Sequence, residues 1–316
     1  MDADVVTFGE TMVAFRPDEP GPLTYVTGFR RGVGGAESNM AMALARLGHD
    51  TAWRSRLGDD PFGRYVRNFV RGEGVETRVE FDPEAPTGLL FKERREAGES
   101  RVFYYRDGSA AARMGPGDLP AEDLAGAEWL HLTGITPALS ASCRELCERA
   151  AARCGDHGTK LSLDPNLRHR LWSPAEMRET LLPMMEHAEM VMPGVEEGET
   201  LFDTDDPDAI ADACLETGAT VALVKLGAEG ALVATDGLRE RVPGYPVEEV
   251  VDPVGAGDGF AAGVLSGRLD GASLVDSTRR GNAVGAFAVT VTGDVEGFPT
   301  AAELERFLEG EAGVTR

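Results

Sequence analysis

The strongest constraint on this 316-residue chain is the recurrence of short apolar runs between helix-like stretches along most of its length. Residues 4–9 read as a buried strand ending at a glycine, 36–47 as a helix rich in alanine and methionine, 51–54 as a strand and 61–71 as a helix. Further apolar runs follow at 129–132, 161–163, 190–192 and 221–224, with helical segments between them. A strand that shows no polar side must be covered on both faces, and helices packed on both sides of a parallel sheet provide that cover. Two runs break the pattern: 88–91 and 101–105 are separated by a charged, glycine-containing turn and read as an antiparallel hairpin. A late antiparallel pair at 230–234 and 238–242 and two closing helices at 257–267 and 277–291 complete the chain. With no repeat, low-complexity stretch or linker, residues 1–316 read as one α/β domain carrying a small β excursion.

Charge narrows the partners. Against 54 Asp and Glu stand 31 basic residues, a net charge of −23, and only three of the 31 are lysines (Lys92, Lys160, Lys225). Such a surface repels itself, and salt relieves the strain because the screening length drops from about 10 Å at 0.1 M to about 3 Å at 1 M. The composition therefore points to a salt-filled cytoplasm. It argues against a nucleic-acid partner, since phosphate backbones need clustered Lys and Arg. The start Met1-Asp2-Ala3-Asp4 is acidic where a signal peptide would be basic, and no apolar run approaches 18 residues, so a cytoplasmic location without membrane contact is expected. The cysteines at 143, 147, 154 and 214 fit neither a disulfide framework nor a zinc pair; the first three read as one apolar helix face.

The most informative segment is Asp252-Pro253-Val254-Gly255-Ala256-Gly257-Asp258. Its glycines allow a ligand close to the backbone, and a helix begins there, so unpaired amides and the positive end of the helix dipole meet at one point. A carboxylate beside an anion hole is repulsive unless it has a task, and accepting a proton from a hydroxyl that attacks phosphorus is such a task. A helix-capping motif without catalysis is the plain alternative. A P-loop is ruled out because no Gly-Lys dipeptide exists, and the dinucleotide fingerprint fails because Phe260 stands where its third glycine belongs.

That segment resembles the C-terminal signature of the ribokinase-like (PfkB) carbohydrate kinases, and Gly32-Val33-Gly34-Gly35-Ala36-Glu37-Ser38-Asn39 resembles their N-terminal diglycine signature. The likeness covers roughly residues 4 to 310. It implies an α/β fold, a ribokinase-like three-layer α/β/α sandwich with a mostly parallel central sheet and a small β-sheet lid, the lid formed by segments of about 10–34 and 84–112. It implies ATP and Mg2+ as cofactors, Asp258 as catalytic base, and the Gly255, Ala256 and Gly257 amides around the phosphoryl group in transfer.

Within the family, the stretch from Arg101 to Ala110 resembles 2-keto-3-deoxygluconate kinases, as do residues 130–139, 164–168 and 293–297. That likeness gives Gly34, Gly35, Asn39, Tyr104, Arg106, Asn166 and Arg168 the role of holding a sugar acid, with Asp294 on a hydroxyl. Arginine forks suit a carboxylate. Lys225, Gly227 and Gly230 resemble the turn beside the ATP phosphates, although a hairpin turn would also want those glycines; Asn282 would lie on the adenine side. Glu197 would reach magnesium through water, although the asparagine of the family's N-x-x-E signature is here Gly194. Two further departures are Ala14, where fructokinases and ribokinases carry a sugar-binding aspartate, and Leu90, where the subfamily has a tyrosine; Phe91 is expected on the opposite strand face. The implied activity is ATP-dependent phosphorylation of 2-keto-3-deoxygluconate, or its galactonate epimer, in an Entner–Doudoroff-type route, by a homo-oligomer paired through lid strands. A fructokinase, a non-catalytic sugar sensor and a dinucleotide oxidoreductase are the rivals.

Overall fold

The computed structural model describes residues 3–94 and 100–310, so the turn expected between the hairpin runs lies largely outside the described residues. The strands are β1 (Val5–Phe8), β2 (Met12–Pro17), β3 (Phe29–Gly34), β4 (Thr51–Gly58), β5 (Glu76–Asp82), β6 (Leu89–Arg94), β7 (Ser100–Tyr105), β8 (Trp129–Thr133), β9 (Lys160–Asp164), β10 (Met190–Val191), β11 (Val221–Lys225), β12 (Gly230–Ala234) and β13 (Arg239–Pro243). The helices are α1 (Ala36–Arg46), α2 (Pro61–Gly72), α3 (Ala121–Ala125), α4 (Ala141–Arg153), α5 (Pro174–Met185), α6 (Val195–Phe202), α7 (Pro207–Glu216), α8 (Ala256–Leu269), α9 (Leu274–Ala288) and α10 (Ala301–Leu308).

Nine strands form one sheet in the order β13-β12-β11-β10-β9-β8-β1-β4-β5. Its pairs are parallel except β11–β12 and β12–β13, the late antiparallel pair that the sequence suggests plus its neighbour. Side chains alternate between two cores: Val6, Phe8, Leu130, Leu132, Leu161 and Leu163 pack on the α4, α5 and α7 side, and Val5, Trp129 and Leu223 on the α1, α8 and α9 side. Burial on both faces explains why these strands read as mainly apolar runs, broken by the buried Thr7, His131 and Ser162. The chain leaves β1 for β4 on one side and later returns to β8 on the other. That reversal of strand order opens a crevice beyond the carboxyl ends of β1, β8 and β9, where open α/β sheets bind ligands.

A second sheet, β3-β2-β6-β7, is mostly antiparallel and stands over that crevice. The hairpin of β6 and β7 matches the sequence reading, whereas β3 is not readable as a strand because Arg30, Arg31, Gly32 and Gly34 break its apolar pattern, and β2 offers only Met12 to Phe15 before Arg16 and Pro17. The edge strand β5 also escapes the sequence: its residues ETRVEFD are nearly all half-exposed and carry charge. Cys143, Cys147 and Cys154 all lie buried on α4 or at its end, their thiols pushed up by burial, Cys143 to about 11 and Cys154 to about 12. Among the described residues, no helix is long and apolar enough to cross a membrane.

Candidate active site

Helix α8 starts at Ala256 with Gly255 as its N-cap and no side-chain cap, so its first N–H groups and dipole face the crevice unopposed. Gly255 holds φ at 84°, and a Cβ there would collide with the carbonyl oxygen of Asp294, so two constraints demand glycine. Asp252 shapes the approach, its Oδ1 accepting the Val254 N–H at 3.1 Å. Helix α1 repeats the arrangement: its N-cap is Gly35, also without a side-chain cap, and a Cβ there would strike the Glu10 carbonyl oxygen.

The first turns of α1 and α8 are joined directly, Asn39 Nδ2 donating to Asp258 Oδ2 at 2.8 Å. The two sequence signatures, 219 residues apart at this contact, thus form one site. Asp258 is half-buried at the edge of the crevice, and desolvation by the surrounding protein pushes its carboxyl up to about 7; the Asn39 bond and the Arg168 guanidinium oppose the rise, and the carboxylates of Asp164 and Asp294 add to it. A carboxyl titrating near neutrality is suited to general-base work.

On one side of Asp258 lies a cavity of about 370 Å³ under the small sheet, lined by Gly34, Gly35, Asn39, Tyr104, Arg106, Asn166, Arg168 and Asp294 together with Asp258 itself. All eight residues assigned to the sugar by sequence therefore share one space. On the other side is a cavity of about 680 Å³ lined by Glu197, Leu226, Gly227 and Glu229. Arg168, Lys225 and Gly257 border both. Two pockets meeting at a helix N-terminus suit a transfer between two bound molecules.

Lys225 stands at that junction with both Asp164 oxygens at 2.8 and 2.7 Å and Glu197 at 3.7 Å. Burial would lower its pKa, but the two carboxylates outweigh this and raise it, so the ammonium stays charged. Glu197 takes N–H bonds from Gly194 at 2.5 Å and Leu167 at 3.0 Å, bracing the loop after β9. In that loop Asn166 holds φ at 38°, an uncommon conformation for a non-glycine residue.

Arg106 departs from the simple picture of an arginine waiting for an acid. It is 9% exposed and forms a buried ion pair with Glu10, itself 3% exposed, while its Nε has no hydrogen-bond partner among the described residues. Arg168 is exposed, its Nη1 donating among the described residues to the neighbouring Leu167 carbonyl at 3.2 Å, and is the freer of the two. Leu90 faces the cavity, while Phe91 points the other way and stacks on Phe15 with ring centroids 4.8 Å apart, as strand alternation predicts. Ala14 is buried with Met12 and Leu90 under the small sheet.

Two residues assigned to the nucleotide line neither cavity. Gly230, at φ 102°, serves the turn into β12, where a Cβ would meet the Val242 carbonyl. Asn282 Nδ2 donates to the carbonyls of Val242 and Pro243, both at 3.0 Å, and ties α9 to β13. Sequence reading passed over Glu10, Lys92, Asp164 and Asp252. Strand alternation does put Lys92 on the same face as Leu90, and that signal could have found it.

This fold and site define a phosphotransferase of the ribokinase type. The pfkB family carbohydrate kinase model matches residues 2–301, and the chain belongs to that family of sugar kinases. It is 41% identical to the 2-dehydro-3-deoxygluconokinase of Bacillus subtilis, covering 98% of this chain and 97% of the relative. It is 32% identical to the 2-dehydro-3-deoxygalactonokinase of Haloferax volcanii over 100% of both. A putative ribokinase II from E. coli, solved with ATP and Mg2+, superposes with a TM-score of 0.89 at 27% identity, covering 98% of this chain and 99% of that one.

Proposed function

We propose that the protein phosphorylates the terminal hydroxyl of 2-keto-3-deoxygluconate, or of its galactonate epimer, using ATP in an Entner–Doudoroff-type route. The observation that carries this reading is the Asp258 carboxyl, set in the wall of the first cavity in the uncapped first turn of α8 and held by Asn39 at 2.8 Å. The acceptor lies under the small sheet, its carboxylate toward Arg106 and Arg168 and its far hydroxyl at Asp258. Asp258 takes the hydroxyl proton as the oxygen bonds the γ-phosphorus and the bond to ADP breaks. The amides of Gly255, Ala256 and Gly257 and the Lys225 ammonium hold the charge that develops on the moving phosphoryl oxygens. The small sheet acts as a lid that keeps water from the transfer.

Magnesium fits this donor set as an ion brought with the nucleotide. Among the described residues, no group of three or more His, Cys, Asp or Glu side chains could hold a metal alone. Mg2+ commonly keeps waters and binds through one or two carboxylates plus phosphates, and Glu197, beside the second cavity, would reach it through water. When bound it neutralises phosphate charge.

A second reading, a kinase for a neutral ketose such as fructose, draws on the Glu10 partner that already satisfies part of Arg106. An assay of ADP release in molar KCl, with 2-keto-3-deoxygluconate, the galactonate epimer and fructose side by side, separates them. The sugar acids should give the higher kcat/KM, and preferential use of fructose would reverse the assignment.

The acidic composition fits a cytoplasm rich in salt, and activity rising toward molar KCl would support that setting. The outer face of the small sheet carries Phe103 and Tyr105, the latter 65% exposed, and offers a surface for a second copy; sedimentation of the protein and of Tyr105→Ser tests this.

A further inference from the structure

Two of the three lysines of this arginine-rich chain line the acceptor cavity. Lys225 belongs to the transfer site already described. Lys92 sits on β6 of the small sheet, yet its ammonium leaves that sheet for the core: Nζ lies 2.7 Å from Asp294 Oδ1 and 3.5 Å from Asp252 Oδ2. Its side chain is 12% exposed.

Both carboxylates belong to the loops that build the anion hole. Asp252 Oδ1 fixes the Val254 amide at 3.1 Å, and its Oδ2 receives the Gly293 N–H at 3.4 Å, clasping the two loops together. Asp294 packs its backbone carbonyl against Gly255 and its Oδ2 against Gly34. The contacts therefore run from β6 through one ammonium to two aspartates, and from them to the residue that starts α8. Arg16 on β2 reinforces the junction, its Nη1 donating to the Thr292 carbonyl at 3.0 Å and its Nη2 pairing with Glu296. The choice of lysine has a physical reason. A compact ammonium can sit between two carboxylates in a narrow space, whereas a planar guanidinium fork needs a broader seat.

We propose that Lys92 is a positioning residue that couples the small sheet to the phosphoryl-transfer loop, so that the anion hole at 254–258 is ordered only when the sheet is seated over the acceptor. This rests on the reading of the site as a sugar kinase. Without the ammonium, Asp252 and Asp294 repel each other across the two loops they clasp, and the amides lose their aim. A misplacement of about 1 Å at a transfer site can cost on the order of 10²-fold in rate.

The test compares wild type, Lys92→Met and Lys92→Arg with whichever sugar the wild type phosphorylates best. Lys92→Met should lower kcat by about tenfold or more while the acceptor KM changes less than about threefold, and Lys92→Arg should recover part of kcat. Hydrogen exchange with the acceptor and a non-hydrolysable ATP analogue supplies the second readout. Wild type should gain protection in β6, β7 and residues 254–258, while Lys92→Met gains it in β6 and β7 alone. A raised KM with unchanged kcat would make Lys92 a direct acceptor contact and overturn the coupling, as would equal protection of 254–258 in both proteins. Failure of the kinase reading shows separately, as a wild type that transfers phosphate to no sugar, and it removes the coupling with it.

Discussion

The nine-stranded sheet and the four-stranded sheet that covers it contribute unequal parts to the site. The large sheet supplies a floor fixed by the packing of α1 and α8 and by hydrogen bonds such as Asn39 to Asp258. The small sheet supplies a ceiling of Met12, Leu90, Val102 and Tyr104, and Lys92 reaches down from it to the floor. On the proposed reading, the chemistry of transfer belongs to the floor, and the choice of acceptor to the ceiling and the Arg106–Glu10 pair beside it. Substitutions in the floor, and of Lys92 where it reaches the floor, should therefore lower kcat for every acceptor, and the other substitutions in the ceiling should change KM for some.

Asp258→Asn breaks the floor most severely. Turnover should fall by at least about 10²-fold with every acceptor, the scale of a lost general base, while substrate binding persists. The same variant has a stability signature. The folded carboxyl titrates near 7 and the unfolded one near 3.8, so the native state binds more protons between these values and wild-type stability declines as pH rises through that window. Thermal melts should accordingly show Asp258→Asn the more stable protein above pH 7 and the advantage gone below about pH 4.

Arg106→Gln is the sharper probe of the ceiling and its rim. It should raise KM for sugar acids by roughly tenfold or more and for fructose far less, since a carboxylate loses its fork. It also strands Glu10, a buried charge whose exposure to solvent is 3%, and loss of one partner of such a pair costs about 3–5 kcal/mol. The double change with Glu10→Gln should restore the melting temperature and leave the selectivity altered, which separates binding from folding. The smallest effect expected is that of Leu90→Tyr, which puts a hydroxyl into the cavity; a few-fold fall in KM for one epimer over the other would mark residue 90 as a selectivity position, and equal changes would not.

The contrast between the two sheets also governs what could be read from sequence. Strands β1, β8, β9 and β11 announce themselves because burial on both faces leaves mostly apolar residues, and the Gly255–Asp258 and Gly34–Asn39 segments because close backbone approach leaves few alternatives to glycine. Strands β3 and β5 lie where one face meets a cavity or solvent, and their charged and glycine residues hide the period. The ion pairs Arg106 with Glu10 and Lys92 with Asp294 join residues 96 and 202 positions apart, and no local pattern encodes such partners. Asn282 and Gly230 differ again: the Asn282 side chain ties α9 to the β13 backbone, and Gly230 serves the turn into β12.

The poise of Asp258 is the claim on which the rest depends, and the pH dependence of kcat/KM reports it in the free enzyme. Because the base must be ionised to accept a proton, kcat/KM for the preferred acceptor should fall about tenfold per pH unit below a midpoint near 7 and level off above it. A profile that stays flat from about pH 5 to 9 would contradict a base at Asp258 tuned by its enclosure.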